Sequence, residues 1–169
     1  MKIRIILISI FMMFGLVSIQ AQDDIFEKLS DHEDVSTVLI SKALLKMMGG
    51  MMGGDMIPDM SMGGMMPGVN IKDIAGKLEQ IEIYSSETTK GIKLMKSEAG
   101  KLQKNKSYEV LMKIKDKDEN VTFYGGRKDK SRFKDLIMFV DNEGECSIIR
   151  ISGSFTAEDV QGVIDGKSD

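Results

Sequence analysis

Four β-like runs fill most of the C-terminal half of the chain and limit its fold more than any other feature. They are YEVLMKIKD from Tyr108, NVTFYGG from Asn120, FKDLIMFVD from Phe133 and CSIIRISG from Cys146. Each is rich in β-branched or aromatic residues, which suit a pleated, half-buried surface. The joints between them are short and polar: Lys117 to Asn120, the basic tip Arg127 to Arg132, and Asn142-Glu143-Gly144. Joints of that kind are hairpin turns, so the runs predict a four-strand antiparallel meander.

Upstream, helical and strand patterns alternate. Ile25, Phe26 and Leu29 share one face of a short amphipathic helix. VSTVLIS, Val35 to Ser41, reads as a strand. Ser41 then caps a helix KALLKMM with Leu44, Leu45 and Met48 inward. Asn70 and Asp73 resemble a capping pair ahead of a helix over IKDIAGKLEQ, on which Ile71, Ile74 and Leu78 share a face. IEIYSS, Ile81 to Ser86, alternates as a strand. Thr88 to Lys104 is the longest helical pattern, with Ile92, Met95, Ala99 and Leu102 at steps of three and four. Thr156 caps a last helix with Val160, Val163 and Ile164 inward. Helices and strands followed by a meander predict an α+β domain. The expected sheet is antiparallel, the C-terminal meander plus the N-terminal strands, with helices packed on one face. Its wet face would carry Lys113, Lys115, Thr122, Tyr124 and Arg150.

The beginning of the chain has another purpose. Lys2 and Arg4 precede an apolar run from Ile5 to Val17, broken only by Ser9 and Gly15, and small Ala21 follows. This is the layout of a secretory signal peptide over residues 1–21, cut between Ala21 and Gln22. The run falls short of the roughly 20 apolar residues that a spanning helix needs, so no stable membrane span is expected after cleavage. The remaining residues, 22–169, suffice for one domain with its own core. Cleavage removes two of the 23 basic residues and none of the 26 acidic ones, which moves the net charge from −3 to about −5. A mildly acidic surface offers no general field for nucleic acid. Cys146 is the single Cys, so an internal disulfide is excluded and stability rests on packing. The address that follows is exported, periplasmic or extracellular.

Three stretches carry a resemblance when taken together with this leader: FEKLSDHEDVSTVLISKALLKMM, IEIYSSET, and the span from YEVLMKIKD to FTAEDV. They resemble the DUF4252 family of small exported proteins of Bacteroidetes-type bacteria. The resemblance implies export, a single α+β domain and a link to envelope regulation or stress. It brings no catalytic signature and no family site residues to transfer.

The stretch least like a folded element is the Met/Gly-rich loop at 47–69. Between Met47 and Met66, nine of twenty residues are Met and six are Gly. Three readings fit. The first is a slack low-complexity loop, which Gly pairs favour. The second is an adaptable apolar contact surface, since the Met side chain is flexible and polarisable. The third is soft-metal binding, because thioethers select Cu(I) or Ag(I) over harder ions. Met60, Met62 and Met65 give three sulfurs within six residues, and Met48 and Met51 add two more. Residues three apart stay within roughly 10 Å even on a stretched backbone. Asp55 and Asp59 are hard ligands and do not help.

Other candidate chemistry is sparse. His32 sits among Asp31, Glu33 and Asp34, as a solvated helix-end residue or as a base with nearby acids. Cys146 follows Glu143 and Glu145, and acidic neighbours raise a thiol's pKa rather than activate it. Asp23/Asp24 and Glu158/Asp159 fit helix starts, where negative charge meets the positive end of the dipole. The sequence lacks a Walker loop and the GxSxG, HExxH, CxxC and EF-hand motifs. The expectation is a non-enzymatic exported domain of unknown function with no catalytic residues, acting by contact with an unknown envelope component or partner protein. The alternative is copper or silver binding through the Met-rich loop.

Overall fold

The computed structural model describes residues 23–51 and 72–165. The leader, and with it the cleavage site, lies outside the described residues, as does most of the Met/Gly loop. The elements run α1 (Asp23–Ser30), β1 (Ser36–Ser41), α2 (Lys42–Met51), a 3₁₀ helix (Lys72–Lys77), β2 (Leu78–Ser86), α3 (Thr89–Lys104), β3 (Tyr108–Lys115), β4 (Glu119–Arg127), β5 (Arg132–Asn142), β6 (Glu145–Thr156) and α4 (Ala157–Asp165). The six strands form one sheet in the order β1-β2-β6-β5-β4-β3, and every neighbouring pair is antiparallel. The α+β class and the antiparallel sheet follow the expectation. After β2, the chain passes through α3 to the far edge, and the meander β3 to β6 brings it back beside β2.

The helices divide between the two faces of the sheet instead of sharing one. In β5, Leu136, Met138 and Val140 join a cluster with Ile74 of the 3₁₀ helix, Val160 of α4 and Leu45 of α2. The alternate residues Ile137 and Phe139 join a second cluster with Ile25, Phe26 and Leu29 of α1 and Met95, Ala99 and Leu102 of α3. Strand side chains alternate between faces, so a strand that is apolar at both parities is covered on both sides. The near-continuous DLIMFV and SIIRI runs are the sequence counterpart of this arrangement. The expected wet face is therefore largely dry. Lys113 and Lys115 are exposed, but Thr122 and Tyr124 are buried and Arg150 is mostly covered.

Local chemistry sets the element ends. The Thr88 hydroxyl accepts from the Gly91 amide at 3.1 Å and caps α3. Thr156 and Asp159 cap α4 reciprocally: the Thr156 amide donates to Asp159 Oδ2 at 2.8 Å, and the Asp159 amide donates to Thr156 Oγ1 at 3.3 Å. This is the capping-box arrangement, with Asp as the acidic partner. The expected helix over IKDIAGKLEQ is instead a 3₁₀ turn ending at Lys77, and Leu78 already begins β2. Leu78 shares the buried face of Ile81 and Ile83 across a register shift near Gln80. On α2, Leu44 is exposed rather than inward, while Leu45 packs on the core.

Candidate functional site

A row of polar side chains crosses the sheet on the face covered by α1 and α3. Register builds it. Glu82 of β2 lies directly opposite Arg150 of β6, and Arg150 lies opposite Ile137 of β5. Asp135, two residues before Ile137, projects from the same face. Continuing outward, Asp135 pairs with Gly126 of β4, and Gly126 pairs with Tyr108 of β3. Arg150 Nη1 donates to Glu82 Oε2 at 3.1 Å, and Nη2 donates to Asp135 Oδ2 at 3.3 Å. The Tyr84 hydroxyl donates to Glu82 Oε1 at 3.2 Å, and the Tyr108 hydroxyl reaches Asp135 Oδ2 at 3.4 Å.

Gly126 makes the row possible. A Cβ built there would stand 1.8 Å from Asp135 Oδ1 and 2.8 Å from Tyr108 Cε1. The missing side chain is the space into which the carboxylate turns, which accounts for the second glycine of YGG. Asp135 Oδ1 is buried without a hydrogen-bond partner, as is Arg150 Nε.

Aromatic rings close the row from the α1 side. The Arg150 guanidinium carbon lies 4.3 Å from the Phe26 ring centroid, a cation–π distance. Phe26 in turn lies 5.9 Å from Tyr84, ring to ring. What stays open is a recess of about 280 Å³ lined by Phe26, Glu27, Ser30, Asp31, Glu82, Tyr84 and Arg150.

The electrostatics are those of one cation held between two carboxylates. Asp135 is only 1% exposed, against 19% for the Arg150 side chain. Burial raises the Asp135 pKa, and the Arg150 charge works against that rise. Burial opposes the charge on Arg150, yet Asp135 and Glu82 outweigh it and hold the guanidinium protonated. Burial and the Glu82 charge keep the Tyr84 phenol protonated and hence a donor. The guanidinium fork is filled by its own sheet, so Arg150 is committed to structure and presents no free fork for an incoming anion.

The residues singled out from sequence are scattered. His32 Nδ1 accepts from the Asp34 amide at 3.1 Å, a turn contact ahead of β1. Cys146 is fully buried near the start of β6; burial first, then the Asp141 charge, push its thiol up to about 12. Glu158 and Asp159 occupy the first turn of α4, and Asp159 pairs with Lys77 at 2.5 Å. In the basic tip, Asp129 accepts from the Ser131 and Arg132 amides, and Arg127 pairs with Glu109 at 2.7 Å. Met48 and Met51 lie on α2, whereas Met60, Met62 and Met65 fall outside the described residues. Among the described residues no three His, Cys, Asp or Glu side chains are grouped to hold a metal ion. Within the same residues no helix is long and apolar enough to cross a membrane.

A second feature lies at the β1 end of the sheet. Val38 and Leu39 of β1 and Leu44 and Met47 of α2 are exposed, Leu39 at 57% and Met47 at 61%. Along β1 the side chains alternate, so Val38 shares the face of Ile83 and Leu39 that of Glu82. The sequence signal was present in VSTVLISKALLKMM, but periodicity alone assigned Leu44 to the core.

No curated protein matches this chain, and neither does any solved structure. The family described as a domain of unknown function, DUF4252, matches residues 26–163, from α1 into α4 and across all six strands. The chain belongs to the DUF4252 family.

Proposed function

We propose that this is an exported, non-enzymatic domain that acts by contact with an envelope component or partner protein. The observation that carries this reading is the outer β1 edge, where Val38 and Leu39 are exposed and no strand pairs among the described residues. An uncharged, apolar edge strand presents unpaired backbone groups to which another chain can pair. The charged groups that catalysis would draw upon are bound to one another in the Glu82–Arg150–Asp135 row. The Cys146 thiol is held far from its reactive form. The leader motif supports an address outside the cytoplasm, periplasmic or extracellular.

Site-specific photo-crosslinking in the producing cell tests the reading. A photoreactive residue at Leu39 or Met47 should capture a defined adduct, and the same residue at Lys115 on the opposite edge should not. Adducts at neither place, or equally at all three, refute it. Soft-metal binding by Met48, Met51, Met60, Met62 and Met65 is the second reading. It is favoured by the spacing of the sulfurs and is tested by titration with Cu(I) below.

A further inference from the structure

The two edges of the sheet are built differently. The β3 edge carries Glu109, Lys113 and Lys115 and is interrupted by a register shift between Val110 and Met112. Charges and bulges of that kind keep an edge strand from pairing with another chain. The β1 edge, Ser36–Ser41 or STVLIS, holds no charge, proline or bulge and keeps unbroken register with β2. Among the described residues no strand pairs with its outer side. Every β1 residue except Ile40 is exposed.

Charge at the two ends of β1 selects the partner. Glu33 and Asp34 precede the strand, and Lys42 and Lys46 follow it on α2. A second copy of β1 laid antiparallel would run its basic end beside the acidic end of the first, and the reverse at the other end. Parallel pairing would set like charges together. A two-fold axis through Val38 brings Asp34 of each copy level with Lys42 of its mate. Such an interface is self-complementary, as a two-fold dimer requires. Val38 then meets its own counterpart.

Resting on the contact reading above, we propose that the β1 edge is a homodimer interface, two copies pairing antiparallel through Ser36–Ser41 into one continuous sheet.

Sedimentation velocity on the full chain, purified after export, provides the test. The expected species at micromolar concentration has twice the monomer mass. Val38→Lys should return the monomer, while Ile114→Lys on the β3 edge leaves the dimer intact; circular dichroism checks that both are folded. Lys42→Glu should weaken the dimer by roughly tenfold, and adding Asp34→Lys should restore it. A Val38→Cys chain should form a disulfide-linked dimer on oxidation. A monomer at all concentrations, or a dimer indifferent to Val38→Lys, overturns the proposal. A monomer that still yields the Leu39 photo-adduct with another protein overturns self-pairing alone and leaves the contact reading standing. A monomer with no adduct overturns both.

Discussion

The polar row contains two carboxylates and one guanidinium, so its members should respond unequally to neutralisation. Arg150→Met keeps much of the side-chain length but leaves Glu82 and Asp135 facing each other without a cation, the Asp135 carboxylate almost wholly buried. Removing one partner of a buried pair costs about 3–5 kcal/mol, because the remaining charge is stranded. Asp135→Asn does the opposite. It leaves Glu82 and Arg150 as a matched pair beside the recess and removes the charge that burial disfavours. The sign follows from the raised Asp135 pKa. A carboxyl raised in the folded state stabilises the fold below its unfolded pKa, about 3.9, and loses that contribution as pH rises through the folded value. The parent therefore carries a penalty at neutral pH that Asp135→Asn lacks, and the two should converge as pH falls below about 4. Urea unfolding followed by circular dichroism measures both. With a slope of about 1–3 kcal/mol per molar urea, Arg150→Met should lower the midpoint by roughly 2 M at neutral pH. That loss should shrink on acidification, as the Asp135 carboxyl protonates. Asp135→Asn should match or exceed the parent at pH 7. An Asp135→Asn loss equal to that of Arg150→Met would refute the charge count, and so would an Arg150→Met cost below about 1 kcal/mol.

Gly126→Ala should destabilise by at least about 1–3 kcal/mol, because its methyl must displace a buried carboxylate or the Tyr108 ring; scanning calorimetry reads this as a lowered Tm, and an unchanged Tm would show that the row relaxes freely. Cys146 should resist a thiol reagent at pH 8 in the folded protein and react at once in urea, since burial both shields it and raises its pKa to about 12; rapid labelling of native protein would contradict this. Cu(I) or Ag(I) titrated into the full chain and into a chain lacking Met47 to Met66 should show tight binding only in the former if the sulfurs form a site, and equal weak binding by both ends that reading.

Much of the scaffold was legible because its signals are local. The Thr156 cap, the three meander turns and the inward set Met95, Ala99 and Leu102 each follow from a few adjacent residues. What was missed depends on residues far apart in the chain. Arg150 and Tyr124 look like residues of a wet face in a half-buried strand. Their burial follows from α1 and α3 lying over them, which no window of the sequence reveals. The polar row was hidden for the same reason. Glu82, Asp135 and Arg150 are separated along the chain and meet only through the β2–β6–β5 register. The continuous apolar runs of β5 and β6 were the clue that both faces are covered. The IKDIAGKLEQ helix failed because Leu78 satisfies a helical and a strand period alike, and pairing with β6 decides between them.

Coverage on both faces gives the polar row a role in specifying register. In a sheet with one wet face, a one-residue slip exposes apolar side chains and is penalised at once. Here β5 and β6 are apolar at both parities, so a slip would exchange one apolar face for the other at smaller hydrophobic cost. Arg150 removes that near-degeneracy. A slip of β6 by one residue would swing its guanidinium away from Glu82 and Asp135 and into the cluster of Ile81, Met138 and Ile151, where the described residues bury no carboxylate beside it. The stranded charges on both faces would then cost several kcal/mol. Gly126 belongs to the same device, since the space it leaves admits Asp135 only when β4 and β5 are in native register. The row thus acts as a pin through the middle strands, while among the described residues no strand pairs with the outer side of β1.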